Sequence, residues 1–245
     1  LVVGNHEEFD FSNDYYGAFG EYLALSESLL LPVANHLPTS IASLMEPLSV
    51  GVQYARIANV ANGEVPLVIG CGAIGLAVIA AMHAKGIAPI VAADFSPLRR
   101  EMAVAMGATD VVDPHEEDPV TRWSQCVPNG AGCVIIECVG APGVLGELFN
   151  KAPWASRLIV AGQNLEDDIF FTASAHTKGI NVQFGGSPIP ADYETALQAI
   201  TKGEIDVSLW QTGHTDLAGA IEAIGDSTDA ERHARIAVHP HGFSE

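Results

Sequence analysis

Three glycines and one acid set the first chemical expectation. In "GCGAIG", Gly70, Gly72 and Gly75 form the pattern GxGxxG directly after an apolar, β-branched run, and Asp94 follows 19 residues after Gly75 at the end of the next such run. A strand, a glycine turn, a helix and a distal acid in this order can cradle a dinucleotide. Gly70 allows the tight turn, Gly72 lets backbone approach a pyrophosphate, and Gly75 lets the helix pack closely on the sheet. The amides that open the helix, at Ala73 and Ile74, would face phosphates with the positive helix end behind them. A carboxylate at Asp94 would accept from both hydroxyls of an adenosine ribose and repel a 2′-phosphate, which predicts NAD over NADP. Arg99 and Arg100, close behind, read as a solvated helix face. The competing reading is a glycine loop without a ligand, with Asp94 as a strand-end acid in a turn.

Such a loop needs a strand before it and a helix after it. From Val65 onward short apolar runs alternate with amphipathic stretches, which predicts an α/β fold with a doubly wound, six-stranded parallel Rossmann sheet. Strands are predicted over residues 65–70, 90–94, 110–112, 133–139, 157–161 and 180–184, and helices over 73–85, 97–106, 144–151 and 192–202. Residues 1–45 read as the tail of a β-rich domain. Residues 46–205 read as the nucleotide-binding domain with a linking helix, whose apolar stripe comprises Ile41, Leu44, Met45, Leu48, Val52 and Ala55. Residues 206–245 read as the last helix of that domain and a return to the first lobe through a strand in "ARIAVHP".

A 48% hydrophobic content suffices for a core, and the formal charge of −19 is spread along the chain. That charge argues against nucleic acid and anionic membrane surfaces as partners. No uncharged apolar run reaches 18 residues and "LVVGNHEEFDF" lacks a basic leader, so the chain reads as cytoplasmic. The four cysteines form no CxxC pair and read as reduced, with Cys133 and Cys138 in an apolar strand. The histidines make no HxxxH or HExxH. His36 falls in a loop, His83 and His176 on helices, and His239 and His241 in a tail.

The stretches "GAFGEYLALSESLLLPVANHLPTSIASLMEPLSVGVQYARIA", "VIGCGAIGLAVIAAMHAKG" and "VAADFSPLRREMAVAMGATDVVD" together resemble the medium-chain zinc-dependent alcohol dehydrogenases, in particular the polyol and threonine dehydrogenase branch. The resemblance runs from about Gly17 to Pro240. It implies a GroES-like catalytic domain joined to a Rossmann domain, an NAD-dependent oxidoreductase acting on a secondary alcohol or polyol, zinc in the complete protein, and a homodimer or homotetramer. By the same resemblance Val139 and Gly140 in "CVGAPG" lie beside the riboses, and Ala161, Gly162 and Gln163 hold the carboxamide. Arg235 reaches the pyrophosphate, and Glu46 in "MEPL" sits beside the catalytic zinc. The local sequence gives Glu46 a second reading, because "SLME" is also a capping box whose glutamate would reach back to the Ser43 amide.

A catalytic zinc needs three protein ligands and one open position. The resemblance places the ligating Cys and a His-Glu pair in the front part of the catalytic domain, after which this chain is expected to begin. The CxxCxxCx₇C loop of the structural zinc is also absent. The expectation is therefore a zinc-type dehydrogenase of which this chain supplies chiefly the NAD site. Three alternatives stand beside it: a zinc-free quinone reductase-like enzyme, opposed by Glu46 and Asp94; a non-catalytic NAD-binding protein; and an S-adenosylmethionine binder.

Overall fold

A computed structural model of the chain describes residues 19–22, 25, 27, 30–227, 229 and 231–242. Most of the expected β-rich tail at the front lies outside the described residues. Helices α1 (Thr39–Ala42) and α2 (Met45–Ala58) come first, followed by β1 (Glu64–Ile69), α3 (Ala73–Ala84), β2 (Val91–Ala93), α4 (Pro97–Ala105), β3 (Asp110–Val112) and α5 (Pro119–Cys126). Then come β4 (Gly132–Glu137), α6 (Val144–Lys151), β5 (Arg157–Val160), α7 (Thr172–Lys178), β6 (Asn181–Phe184) and α8 (Pro190–Thr201). The strands form one parallel sheet in the order β3-β2-β1-β4-β5-β6, as the alternation predicts. Helix α5 carries a start signal that the periodicity reading passed over: Asp118 Oδ2 accepts the Thr121 amide at 2.9 Å, and proline holds the first helical position.

The continuous apolar runs are sorted by the two-residue period of the strands. Val68, Ala92, Val134, Ile136 and Ile159 face the core shared with α2, α3, α4 and α8. Leu67, Val91, Cys133, Ile135, Leu158 and Val160 face the core shared with α5 and α6. Burial pushes the Cys133 thiol up to about 12, so it stays protonated and serves as packing.

Ion pairs tie the frame together. Asp192 accepts from Arg56 at 2.9 and 2.7 Å and from the Ile189 amide at 3.0 Å, joining α2 to the start of α8. Arg157 on β5 bonds Glu64 on β1 and donates to the Ala58 carbonyl at 2.6 Å, where α2 ends. The Arg157 guanidinium holds the Glu64 carboxyl below the usual carboxylate range. A carboxyl whose folded pKa is depressed contributes stability above its unfolded pKa of about 4.3 and loses it as pH falls through the lower folded value.

Beyond the large sheet, β7 (Gln211–Asp216) and β8 (Arg235–His239) pair in parallel, with α9 (Ala220–Asp226) between them. The strand expected in "ARIAVHP" is thus present, and its partner is β7. His239 stands in that strand and not in a tail.

Helices α2 and α3 cross closely because α2 presents a glycine there. A Cβ at Gly51 would lie 2.3 Å from the Ala77 carbonyl carbon and 2.6 Å from its Cβ. Intrinsic propensity favours Gly51→Ala by about 1 kcal/mol, whereas overpacking against rigid backbone costs about 1–3 kcal/mol. The clash is with main chain, so the second effect dominates. Gly51→Ala is expected to lower the denaturation midpoint, and a rise would show that the crossing can relax.

Candidate nucleotide-binding site

Strand order reverses between β1 and β4, and open α/β sheets bind ligands in the crevice outside the carboxyl ends at such a point. Two hydrogen bonds knit the strand ends together: the Gly70 amide donates to the Ala93 carbonyl at 2.8 Å, and the Cys138 amide to the Ile69 carbonyl at 2.8 Å. The three glycines of the loop answer to three different constraints. Gly70 has φ +91, and a Cβ there would meet Val139 Cγ2 at 2.9 Å. At Gly75 a Cβ would lie 1.9 Å from the Gly70 carbonyl oxygen, so its close neighbour is the loop itself as much as the sheet. At Gly72 the nearest atom is Arg99 Nη1 at 3.8 Å, so the protein leaves that position open. Helix α3 starts immediately after, and the amides of Ala73 and Ile74 belong to a first turn that has no helical acceptors.

Asp94 is nearly buried, with 9% of its surface exposed. Its Oδ2 accepts the Cys71 amide at 2.7 Å and its Oδ1 accepts the Ser96 amide at 2.9 Å. The acid therefore fixes the glycine loop against the end of β2, and each oxygen keeps a further lone pair. The two arginines that follow are not a solvated face. Arg100 Nη1 donates to the Asp94 and Phe95 carbonyls at 2.8 Å each and pairs with Asp113 at 3.0 Å. Arg99 has a buried Nε without a hydrogen-bond partner among the described residues. A buried guanidinium nitrogen costs free energy when unpaired, and this one belongs to a side chain beside the open glycine position. The signal was two cations directly behind the acid, in the first turn of a helix capped by Ser96.

The far side of the crevice is built on Glu137, which is 1% exposed at the end of β4. Its Oε1 accepts the Val139 and Gly140 amides at 2.6 and 2.8 Å, and its carbonyl accepts the Ala161 and Gly162 amides, both at 2.8 Å. Gly140 and Gly162 touch, a Cβ on Gly162 falling 2.2 Å from the Gly140 nitrogen, and a Cβ on Gly140 would meet the Gln163 amide nitrogen at 2.6 Å. These four amides are thus used inside the protein, so the turns offer a ligand their carbonyl edges and side chains. The sequence reading took Glu137 for an ordinary strand residue, because nothing local marks a carboxylate that folds back on its own turn. Burial pushes the Cys138 thiol well up, with Glu137 adding to it.

Beyond the ends of β1 to β4 lies a cavity of about 360 Å³ whose apolar wall includes Ile69, Phe95, Pro114, Val120 and Val139. Phe95 and His115 pack against each other at one side, ring centroids 4.4 Å apart and planes tilted by 51°. A slot with an apolar wall at the carboxyl ends of the strands suits an aromatic base, and Glu116, Glu117, Asp118 and Glu147 line the rest of it.

Glu46 and Arg235 lie together, with Arg235 Nη2 3.7 Å from Glu46 Oε2. The capping-box reading of "SLME" fails: Leu44 precedes α2 without a side-chain cap, and Ser43 Oγ donates to the Ser40 carbonyl at 2.7 Å. Chain direction explains the miss, since α1 ends at Ala42 and its last turn claims the Ser43 hydroxyl. Among the described residues no group of three or more His, Cys, Asp or Glu side chains could hold a metal. The described residues therefore do not present a catalytic zinc site. No described helix is long and apolar enough to cross a membrane.

An open α/β sheet with a glycine loop at its switch point defines a nucleotide-binding fold, and sequence comparison places it further. The family model "Zinc-binding dehydrogenase" matches residues 73–202, more than half of the chain, and the chain belongs to that family. It is 33% identical to (R,R)-butanediol dehydrogenase of Bacillus subtilis over 144 residues, covering 59% of this chain and 41% of that protein. It is 30% identical to L-threonine 3-dehydrogenase of Bacillus licheniformis over 178 residues, covering 69% of this chain and 49% of that protein. The crystal structure of 2R,3R-butanediol dehydrogenase from Bacillus subtilis superposes with a TM-score of 0.75 at 26% identity, over 88% of this chain and 62% of that one. The chain spans about half the length of the curated relatives it matches.

The glycines allow fold and binding to be separated. Gly72→Val is expected to leave the unfolding midpoint nearly unchanged while weakening NADH binding at least about tenfold, because its side chain enters space the protein does not use. Gly75→Ala should lower the midpoint itself. Fluorescence titration and thermal melts on both variants check the contrast.

Proposed function

We propose that this chain carries the NAD site of a zinc-type alcohol or polyol dehydrogenase, an oxidoreductase that moves hydride between a secondary alcohol and NAD. The observation that carries the reading is the conjunction at the switch point of an open Gly72, the first-turn amides of α3, the buried Asp94 and the unpaired Arg99 nitrogen. In this reading the pyrophosphate rests on Gly70, Gly72, Ala73, Ile74 and Gly75. The remaining lone pairs of Asp94 accept the adenosine ribose hydroxyls, Arg99 covers the ribose, and adenine enters the slot beside Phe95. Val139, Gly140 and the turn at Ala161, Gly162 and Gln163 border the nicotinamide half. The bound nicotinamide supplies the hydride acceptor, and the protein's part is to orient it and exclude water.

Arg235 is proposed to exchange Glu46 for the pyrophosphate when the nucleotide binds, since its Nε lacks a partner among the described residues. Residues 46–205 are the nucleotide-binding domain in this reading, and residues 1–45 and 206–245 belong with the catalytic domain. The zinc ligands are assigned to the part of the longer relatives that this chain does not span. Small alcohols or polyols are the proposed substrates.

The cofactor choice is testable by a ratio that folding defects do not move. A 2′-phosphate beside the Asp94 carboxylate meets like charge in a poorly solvated crevice. NADH is expected to bind at least about tenfold tighter than NADPH, a difference of about 1.4 kcal/mol, and Asp94→Asn should shrink that ratio even where absolute affinity falls. Equal affinities in the unaltered chain would assign the phosphate to Arg99 instead.

The reading also includes a homo-oligomer. Strand β6 is the outer strand of the sheet, and Phe184 at its end is 67% exposed. An open apolar edge invites pairing with a second copy. The chain is expected to run as a dimer or tetramer in light-scattering chromatography, and Phe184→Lys should shift it toward monomer.

A further inference from the structure

On the β7–β8 pair the ring of His214 lies between two other polar side chains. His214 Nδ1 lies 2.9 Å from His239 Nε2 and 3.3 Å from the side-chain amide nitrogen of Gln211. The rings are 5.1 Å apart and tilted by 31°. A ring nitrogen carries either one lone pair or one hydrogen, so His214 Nδ1 cannot form full hydrogen bonds to both neighbours at once. Such a convergence suits a cation better than a proton. Zinc–imidazole bonds are about 2.0–2.1 Å, so two nitrogens at a right angle on one metal stand about 2.9 Å apart, and at a tetrahedral angle about 3.3–3.4 Å. The pair already has the first spacing and reaches the second by a small side-chain rotation.

The amide of Gln211 can present its oxygen as readily as its nitrogen by a half-turn of its last torsion. That makes a set of two imidazoles and one carbonyl oxygen. Asp216 stands opposite His239 in the strand register and adds negative charge, with its Oδ1 accepting the Gly219 amide at 3.0 Å. His233, on the loop before β8, turns away to Thr212, 3.3 Å from its Oγ1, and is not a ligand.

We propose that His214, His239 and Gln211 form a surface site for a divalent transition metal of the imidazole-binding kind, Zn²⁺, Ni²⁺ or Cu²⁺. The remaining coordination positions are filled by water. Bound metal would replace the shared proton and add a side-chain clamp to the backbone pairing of β7 with β8.

The test titrates Zn²⁺ and Ni²⁺ into the 245-residue chain by calorimetry, with the copper(II) electron paramagnetic resonance spectrum as a ligand count. One equivalent is expected to bind, with copper hyperfine structure from two nitrogens. His214→Phe and His239→Phe, which keep ring volume and remove the donor, should each weaken binding at least tenfold. Gln211→Leu should weaken it less, and His115→Ala, at an exposed histidine elsewhere, not at all. Circular dichroism confirms that each variant is folded, and Ala at either histidine serves where Phe is not. Absence of a one-equivalent site, or one unmoved by the His214 and His239 variants, would falsify the proposal.

Discussion

The carboxylate of Asp94 holds two backbone amides that the chain brings from different places, Cys71 in the glycine loop and Ser96 at the start of α4. Most of the crevice depends on that clasp. An ionised acceptor taking two amides in a nearly buried position is among the stronger hydrogen-bonded arrangements a protein can make. It fixes the loop at the end of β1 relative to the end of β2, and so fixes where the α3 amides point. The same atom group is the one proposed to meet the adenosine ribose. A residue that both builds the site and faces its ligand links the shape of the loop to the charge the ligand encounters.

Glu137 plays the matching part across the switch point. It binds the turn after β4 through its side chain and the turn after β5 through its carbonyl. The two turns approach so closely at Gly140 and Gly162 that neither position has room for a side chain. The crevice is therefore bounded by two buried acids, one on each side of the β1–β4 boundary, each holding its neighbouring turn through backbone amides. This accounts for a site that is rigid at its walls and open at Gly72, where a ligand's own atoms complete the packing.

The ion pairs outside the crevice act on the frame that carries it. Arg56 with Asp192 and Arg157 with Glu64 join α2 to the sheet and to α8. Each is part-exposed, so its contribution to stability is modest. Their value lies in geometry: α2 crosses α3 tightly at Gly51, and α3 is the helix whose first turn opens the crevice.

The periodic features were legible in the sequence because they rest on local physics. The six strands follow from apolar β-branched runs, α3 and α4 from helical spacing, and the α4 start from Ser96 and Pro97, whose side-chain cap the structure contains. GxGxxG and Asp94 were legible because their backbone demands admit few residue types. Tertiary structure alone decided the rest. Glu46 had a capping reading from the local sequence and a zinc reading from the resemblance, and the fold sets it beside Arg235, nearly two hundred residues away. Arg99 and Arg100 looked equivalent on a helix face, yet one is consumed by carbonyls and the other keeps an unpaired nitrogen beside the loop. His214 and His239 share no sequence pattern and meet only because β7 and β8 are in register. Spacing along a chain encodes what a residue's neighbours can do to its backbone, whereas the partner of a side chain is set by where the fold returns.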